Sequence, residues 1–261
     1  MSPSVLIVDF SGTYPLLDCP GNTPGAAWLH LGDLEGTSCY LDPEARGTLE
    51  QKIAPFPVEG MHFIDSGDYH YMSKLFTDRI GERFNLLVLD HHPDMQEPLF
   101  GSGDVDPSER ILSCGGWLRD ALIQNPNIGK VLVVGVKDDL SGECEGFADR
   151  VRTVLESEVA LRADYNIIVE RMLSFLEEEV PLYISVDKDV LSEDECPTNW
   201  DGGSMSVEGM LHLLCAAVAR RNVIGVDICG EKSPSKGGTP YGHTKSSEVN
   251  GKLLSIFFND K

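Results

Sequence analysis

The chain has 261 residues, of which 42 are acidic and 21 are basic, so its formal net charge at pH 7 is −21. This charge argues against nucleic acid and against an anionic membrane surface as partners, because both carry negative phosphate groups. The chain is long enough to bury a sizeable core and has no linker rich in Pro or Ser, which predicts one α/β domain over residues 1–261.

The cysteines and the first residues indicate the compartment. The seven cysteines include no CxxC pair, and Cys114, Cys215 and Cys229 lie in apolar runs, which is typical of reduced thiols used for core packing. The chain begins without a basic segment, and its first apolar run stops at Asp9. We therefore expect no signal peptide, no membrane span and a cytoplasmic protein.

In chain order, apolar runs of strand length alternate with segments of helical periodicity. Predicted strands cover residues 5–8, 61–65, 86–89, 131–136, 165–169, 182–186 and 223–226. Helical spacing covers residues 44–53, 71–83, 109–124, 147–163, 169–178, a segment after Ser206, and 247–258. Residues 11–36 are irregular and rich in Gly and Pro, which suits a lid or a subunit contact in a homo-oligomer. The alternation predicts a three-layer, doubly wound, mostly parallel sheet with helices on both faces.

The strand at residues 86–89 ends abruptly in titratable side chains. Asp90, His91, His92, Pro93 and Asp94 follow it directly. Alternate residues of an extended chain share a face, so Asp90, His92 and Asp94 are expected to point the same way. Carboxylates and imidazoles are ligands for divalent metals, so this stretch predicts half of a metal site.

A second strand supplies the other half. Residues 182–186 lead into Asp187, Lys188 and Asp189, with the two carboxylates on one face and Lys188 turned away. So many acids and imidazoles at adjacent strand ends would repel one another unless cations balanced them. A pair of divalent ions would do so. His70 follows the predicted strand at 61–65 and a glycine-bearing turn, so it is also expected near the carboxyl end of a strand.

These motifs resemble those of the ureohydrolase family, which includes arginase and agmatinase. The match is carried by Gly-Asp-Tyr-His at 67–70, Asp-His-His-Pro-Asp at 90–94 and Ser-Val-Asp-Lys-Asp at 185–189, with further likeness at 134–143 and 226–231. The resemblance implies an arginase-like fold and two Mn²⁺ ions per chain, with iron, zinc or nickel as alternatives. By motif position, one ion would be held by His70, Asp90, Asp94 and Asp187. The other would be held by Asp90, His92, Asp187 and Asp189.

The sequence also departs from the family pattern. Tyr69 separates His70 from the preceding Asp, and no histidine lies between Pro93 and Val131, although arginases carry a proton-shuttling histidine beyond the second motif. The family's acidic contact to a guanidinium falls on Gly230 without a gap, and on Glu231 with a one-residue insertion.

The resemblance implies a hydrolase of linear C–N bonds that acts on a guanidino compound or on a related amidine or amide. A metal-bridging hydroxide would attack the carbon, Asp94 would orient it and accept its proton, and Glu231 would pair with a guanidinium. Asp139, Glu143 and Asp201 are candidate substrate-binding residues. Two alternatives stay open: an amide deacylase on the same metal pair, and a metal-binding protein without turnover.

Overall fold

The protein is described here from a computed structural model, over residues 5–97, 110–138, 146–160 and 163–258. In these ranges the strands are β1 (Val5–Asp9), β2 (Ala27–His30), β3 (Tyr40–Leu41), β4 (Met61–Phe63), β5 (Phe84–Leu89), β6 (Leu112–Ser113), β7 (Ile128–Val136), β8 (Val151–Leu155), β9 (Leu182–Asp187) and β10 (Val223–Cys229). The α-helices of the same ranges are α1 (Pro43–Ile53), α2 (Met72–Thr77), α3 (Trp117–Gln124), α4 (Glu156–Val159), α5 (Tyr165–Phe175), α6 (Val207–Arg220) and α7 (Pro240–Phe258).

Eight of these strands form one sheet, in the order β2-β1-β4-β10-β9-β5-β7-β8. Every pair of neighbours in it is parallel, and β3 and β6 form a separate antiparallel pair. The carboxyl ends of β4, β10, β9 and β5 therefore meet at the middle of one edge. This edge is where open α/β sheets bind their ligands.

Helices cover both faces of the sheet. In β5, Leu86 and Val88 pack into a core shared with α1, α2 and α3, whereas Leu87 and Leu89 pack into a core shared with α5, α6 and α7. Strands that are buried on both faces are apolar throughout rather than alternating, which explains the continuous apolar runs in the sequence. The predicted three-layer, doubly wound sheet is confirmed.

Two local predictions are wrong because short amphipathic segments fit either period. Residues 165–169, predicted as a strand, begin α5, whose first turn is capped by Asp164 accepting from the backbone N of Asn166 at 3.1 Å. Residues 151–155, predicted as part of a helix, form β8, an edge strand beside β7. Among the described residues of that segment, 156–159 keep the predicted helical state.

Other elements begin or end elsewhere than predicted. Residues 27–30, taken as irregular, form the edge strand β2 because they pair with β1. α3 starts at Trp117, since residues 112–113 pair with β3 instead, and α2 ends at Thr77. α7 is longer than predicted and starts at Pro240. Ser206 caps α6 as predicted, accepting from the backbone N of Gly209 at 3.1 Å. No helix in the described part of the chain is long and apolar enough to cross a membrane.

His62 on β4 is a buried titratable group within the sheet. Its Nε2 donates to the carbonyl oxygen of Pro57 at 3.1 Å, and its ring stacks on Phe76 with centroids 4.1 Å apart. The pKa of His62 is lowered to about 4, chiefly by burial and to a lesser extent by the charge of Arg79, against the opposing effect of the Pro57 hydrogen bond. The folded protein thus holds this imidazole neutral.

We predict that His62 makes the fold sensitive to mild acid. Its folded pKa lies below its unfolded value, so its contribution to stability is complete above pH 6.5 and falls as the pH drops towards about 4. The loss amounts to about 3 kcal/mol, at 1.36 kcal/mol per pKa unit. Denaturant unfolding at several pH values should show the stability difference between wild type and His62→Gln shrinking by this amount between pH 7 and 4. A difference that stays constant over that range contradicts the prediction.

Candidate metal centre

The six side chains that motif position assigns to metal lie together at the carboxyl edge of the sheet. They are His70, Asp90, His92, Asp94, Asp187 and Asp189. Asp90 directly follows β5, Asp187 ends β9, and these strands are neighbours, so the parallel sheet itself brings their ends together. All six are buried except His92, whose side chain is 29% exposed.

His70 lies at the centre of one side of the cluster. Its Nδ1 is 2.9 Å from Asp94 Oδ2, 3.2 Å from Asp90 Oδ2 and 3.6 Å from Asp187 Oδ2. On the other side of the ring, Nε2 is 2.9 Å from Ser185 Oγ, which donates to Asp227 Oδ1 at 2.7 Å. This relay holds the ring with Nε2 as donor and Nδ1 directed at the carboxylates, as in metal-ligating histidines.

His92 lies on the outer side of the cluster and is oriented by Asp201. Its Nδ1 is 2.9 Å from Asp189 Oδ2, and its Nε2 is 3.1 Å from Asp201 Oδ1. The second oxygen of Asp201 accepts from Lys137 Nζ at 3.1 Å. This hydrogen bond is the main reason that the pKa of Asp201 is lowered to about 2. The structure therefore places Asp201 against His92 and Lys137 and outside the described cavity lining, whereas the sequence prediction placed it against the substrate.

Asp94 is held by the start of α3. Its φ of 49° lies in the left-handed region, which residues other than Gly adopt infrequently. Trp117 Nε1 donates to Asp94 Oδ2 at 2.6 Å, and the backbone N of Leu118 donates to the Asp94 carbonyl at 3.1 Å. Together these contacts fix one carboxylate oxygen beside His70.

The buried carboxylates raise one another's pKa values. For Asp90, Asp187 and Asp189, burial is the largest cause and the charge of a neighbouring carboxylate is the second. Together they bring the pKa to about 7 for Asp90, about 7 for Asp189 and about 6 for Asp187. The pKa of Asp94 is raised as well. Without a cation, protons are the charges that relieve this repulsion.

The donor chemistry fits divalent cations. Asp90 Oδ2 is buried and has no hydrogen-bond partner among the described residues. Three sets of donors have ligand atoms within 4.8 Å of one another: His70 with Asp90 and Asp94, Asp90 with His92 and Asp189, and His70 with Asp187 and Cys229. Asp90 belongs to the first two sets, as a carboxylate that bridges two ions would.

A cavity of about 200 Å³ opens onto the cluster. All six acids and imidazoles of the cluster line it. The other lining residues are Cys39, Tyr40, Gly67, Pro93, Gln96, Ser113, Cys114, Gly115 and Trp200. Tyr40 and Trp200 are the exposed large hydrophobic side chains of this wall, at 48% and 39%. A cavity that combines these aromatic side chains with the polar cluster suits a small organic ligand.

The structure corrects the prediction that Glu231 faces the substrate. Glu231 and Lys188 are both fully buried and form an ion pair. Lys188 Nζ also donates to Ser246 Oγ at 2.6 Å and to Asn250 Oδ1 at 3.0 Å, and the hydroxyl of Ser246 donates to Glu231. The predicted role was wrong because α7 supplies partners for a lysine that turns away from the cavity, and these partners hold Glu231 there.

Gly230, the other position considered for an acidic contact, has no room for a side chain. Its φ is +93°, and a Cβ built there would lie 2.5 Å from Asp187 Oδ1. After an irregularity between Val223 and Gly225, the β10–β9 register runs unbroken to Cys229 opposite Asp187, so Gly230 directly follows the paired part of β10. Neither Gly230 nor Glu231 therefore presents a carboxylate to the cavity. Asp139 and Glu143, the remaining predicted substrate contacts, lie outside the described residues.

Three residues that support the centre were missed by sequence analysis. Cys229 donates to Asp187 Oδ2 at 3.1 Å, and Trp117 and Ser185 hold Asp94 and His70. Ser185 lies two residues before Asp187 on the same strand, so strand alternation could have identified it. The contact of Trp117 depends on how α3 packs, for which the sequence gives no signal.

The fold and this edge define a doubly wound α/β protein with a buried cluster of carboxylates and imidazoles that could hold metal ions. The Arginase family model matches residues 15–244, and the chain belongs to the arginase family. The predicted resemblance to the ureohydrolases is thus confirmed.

Individual relatives are distant in sequence. An uncharacterized protein of Thermotoga maritima is 29% identical over 99% of this chain and 91% of its own. The structure of an arginase from Bacillus caldovelox is similar with a TM-score of 0.68 at 15% identity, covering 100% of this chain and 99% of that one. Formimidoylglutamase from Bacillus subtilis is similar with a TM-score of 0.69 at 15% identity, covering 98% and 85%. At this identity the structural likeness establishes the fold.

We predict that the centre binds about two divalent ions per chain, and that Asp90→Asn reduces both occupancies because Asp90 belongs to two donor sets. Elemental analysis after Mn²⁺ loading and desalting measures the number. Asp120→Asn is the matched control, since Asp120 is an equally buried carboxyl on α3 that lies outside the cavity lining. One ion or none in the wild type, or an Asp90→Asn protein that still holds two, contradicts the prediction.

We predict that Glu231→Gln acts on stability, because it leaves the buried ammonium of Lys188 without its counter-charge. Removal of one partner of a buried pair costs about 3 kcal/mol or more. The double variant Lys188→Met with Glu231→Gln should recover most of that loss in denaturant unfolding. If Glu231→Gln unfolds with wild-type stability, the buried ion pair does not stabilise the fold.

Proposed function

We propose that the protein is a dinuclear-metal-dependent hydrolase of linear C–N bonds. The observation that carries the proposal is the pair of donor sets that share Asp90 and line one wall of a small cavity. Membership of the arginase family supports it, and so does the fold shared with an arginase and a formimidoylglutamase. One ion would be held by His70, Asp90, Asp94 and Asp187. The second would be held by Asp90, His92, Asp187 and Asp189, with Mn²⁺ favoured because oxygen donors predominate.

The side chains around the ions would then have separate tasks. When bound, divalent cations supply an activated water at neutral pH and polarise the substrate. Asp94 would accept the proton of that water on its carboxylate and pass it to the leaving nitrogen, because Trp117 holds one of its oxygens in place. His70 and His92 would keep their ring orientations through Ser185 and Asp201.

The lining indicates which substrates fit. In the described part of the wall, the only carboxylates are those of the four proposed metal ligands, so a cationic group would find no separate acidic partner there. Gln96 and Ser113 supply an amide and a hydroxyl, and Tyr40 and Trp200 supply aromatic surface. This composition supports a small C–N substrate whose reacting group is oriented by the metal centre. The proposed substrate class therefore includes amides and amidines as well as guanidino compounds.

We predict that Mn²⁺-loaded protein hydrolyses at least one member of a panel of small guanidino, amidine, formimino and amide compounds, with release of urea, ammonia or amine as the readout. On that substrate Asp94→Asn should lower kcat by about a hundredfold or more while KM changes much less, because the lost proton acceptor acts in the transition state. Asp120→Asn should keep wild-type kcat.

Two outcomes decide against parts of this assignment. Equal kcat for Asp94→Asn and wild type removes Asp94 from proton transfer. Silence across the panel, with two ions bound, favours a metal-binding protein without turnover over the hydrolase.

A further inference from the structure

Two cysteines face each other at the wall of the cavity. The β3–β6 pair aligns Tyr40 with Ser113 and Leu41 with Leu112, so the next position of the same register places Cys39 opposite Cys114. Just beyond the ends of both strands, the backbone N of Cys114 donates to the carbonyl of Cys39 at 2.9 Å, which holds the two residues side by side, while the N of Cys39 donates to the carbonyl of Asp68. Both thiols line the cavity.

This arrangement meets the requirements of a disulfide. Residues opposite each other in an antiparallel pair have Cα atoms about 4.5 to 5.5 Å apart, within the range of about 4.4 to 6.8 Å that a disulfide spans. The two side chains already interact, and their mutual hydrogen bond is the largest influence on both thiols. It lowers the pKa of Cys39 and raises that of Cys114. Cys39 therefore has the greater thiolate character, which makes it the nucleophile of the pair.

We propose that Cys39 and Cys114 form a reversible disulfide when a peroxide enters the cavity. The Cys39 thiolate attacks one peroxide oxygen, the O–O bond breaks, and protonation of the leaving oxygen gives water and a Cys39 sulfenic acid. The Cys114 sulfur then attacks Cys39 Sγ, the S–O bond breaks, and a second water leaves. Two thiols and one hydrogen peroxide thus yield one disulfide and two waters, with two electrons passing from sulfur to oxygen. A dithiol reductant reverses the change by exchange.

The modification would be felt by the residues around the cavity mouth. Cys39 Sγ donates to Asp68 Oδ1 at 3.5 Å, and this buried carboxylate also accepts from Trp200 Nε1 at 3.0 Å and from Lys236 Nζ at 2.9 Å. A disulfide has no S–H, so Asp68 loses one of its donors on oxidation. Trp200 reports on this change because its indole shares that carboxylate and lines the same cavity.

The other described cysteines lack this placement. Cys19, Cys196, Cys215 and Cys229 are not part of the cavity lining. Cys215 is exposed on α6 and therefore provides a matched control for general thiol oxidation.

The test is peptide mapping by mass spectrometry of the full-length chain after treatment with one equivalent of hydrogen peroxide, alkylation and digestion without reductant. We expect the number of alkylated thiols to fall from seven to five, with the Cys39 and Cys114 peptides joined within one chain. Dithiothreitol should restore both thiols. Trp fluorescence should shift on oxidation and return on reduction.

Two variants make the result specific. Cys215→Ser should form the same cross-link, whereas Cys114→Ser should form none and should leave a Cys39 sulfenic acid that a dimedone probe captures. Both cysteines alkylated as in untreated protein, or either one linked to a different cysteine or to a second chain, overturns the proposal. If Cys114→Ser does not fold, mapping of the wild type still decides. The readout is covalent mass, so it is independent of whether the protein turns over any C–N substrate.

Discussion

Electrostatic repulsion among four buried carboxylates is the constraint on which the centre depends. Asp90, Asp94, Asp187 and Asp189 lie within a few ångströms of two imidazoles, and burial together with neighbouring charge raises their pKa values. Such a cluster is stable only when positive charge enters it, either as protons or as cations. Asp90 has a buried oxygen that accepts no hydrogen bond from the described residues and belongs to two donor sets, as a carboxylate shared by two cations would.

The doubly wound sheet is what brings these acids together. Parallel neighbours end at the same edge, so β5 and β9 together deliver carboxylates and imidazoles at alternate positions, while β10 contributes Cys229 and Asp227 from beside them. The second face of the same strand end has a different use. Lys188, which alternation turns away from the cavity, forms a buried ion pair with Glu231 just after β10, and its hydrogen bonds to Ser246 and Asn250 tie the end of β9 to α7. The position of the Asp187 carboxylate and the packing of α7 are therefore coupled, because Asp187 and Lys188 are consecutive residues at the end of β9.

Much of this could be predicted from the sequence, and the limits are physical. Apolar runs that end in Asp90 or Asp187 identify both the buried strands and their ligand edge, because period and burial are local properties of the chain. The segments at 151–155 and 165–169 were misassigned because tertiary pairing decides between strand and helix in short amphipathic stretches. The burial of Glu231 away from the cavity was not predictable, since it depends on hydrogen bonds from Ser246 and Asn250 of α7. The pairing of Cys39 with Cys114 depends on two-residue strands that carry no periodic signal.

The most direct test of a shared, carboxylate-bridged metal pair is electron paramagnetic resonance of the protein loaded with two equivalents of Mn²⁺. Two Mn²⁺ ions that share Asp90 would be magnetically coupled, so we expect the wild type to give the spectrum of an exchange-coupled Mn²⁺ pair. In Asp90→Asn we expect the spectrum of isolated ions instead. A wild-type spectrum of isolated, uncoupled Mn²⁺ at full loading would contradict it.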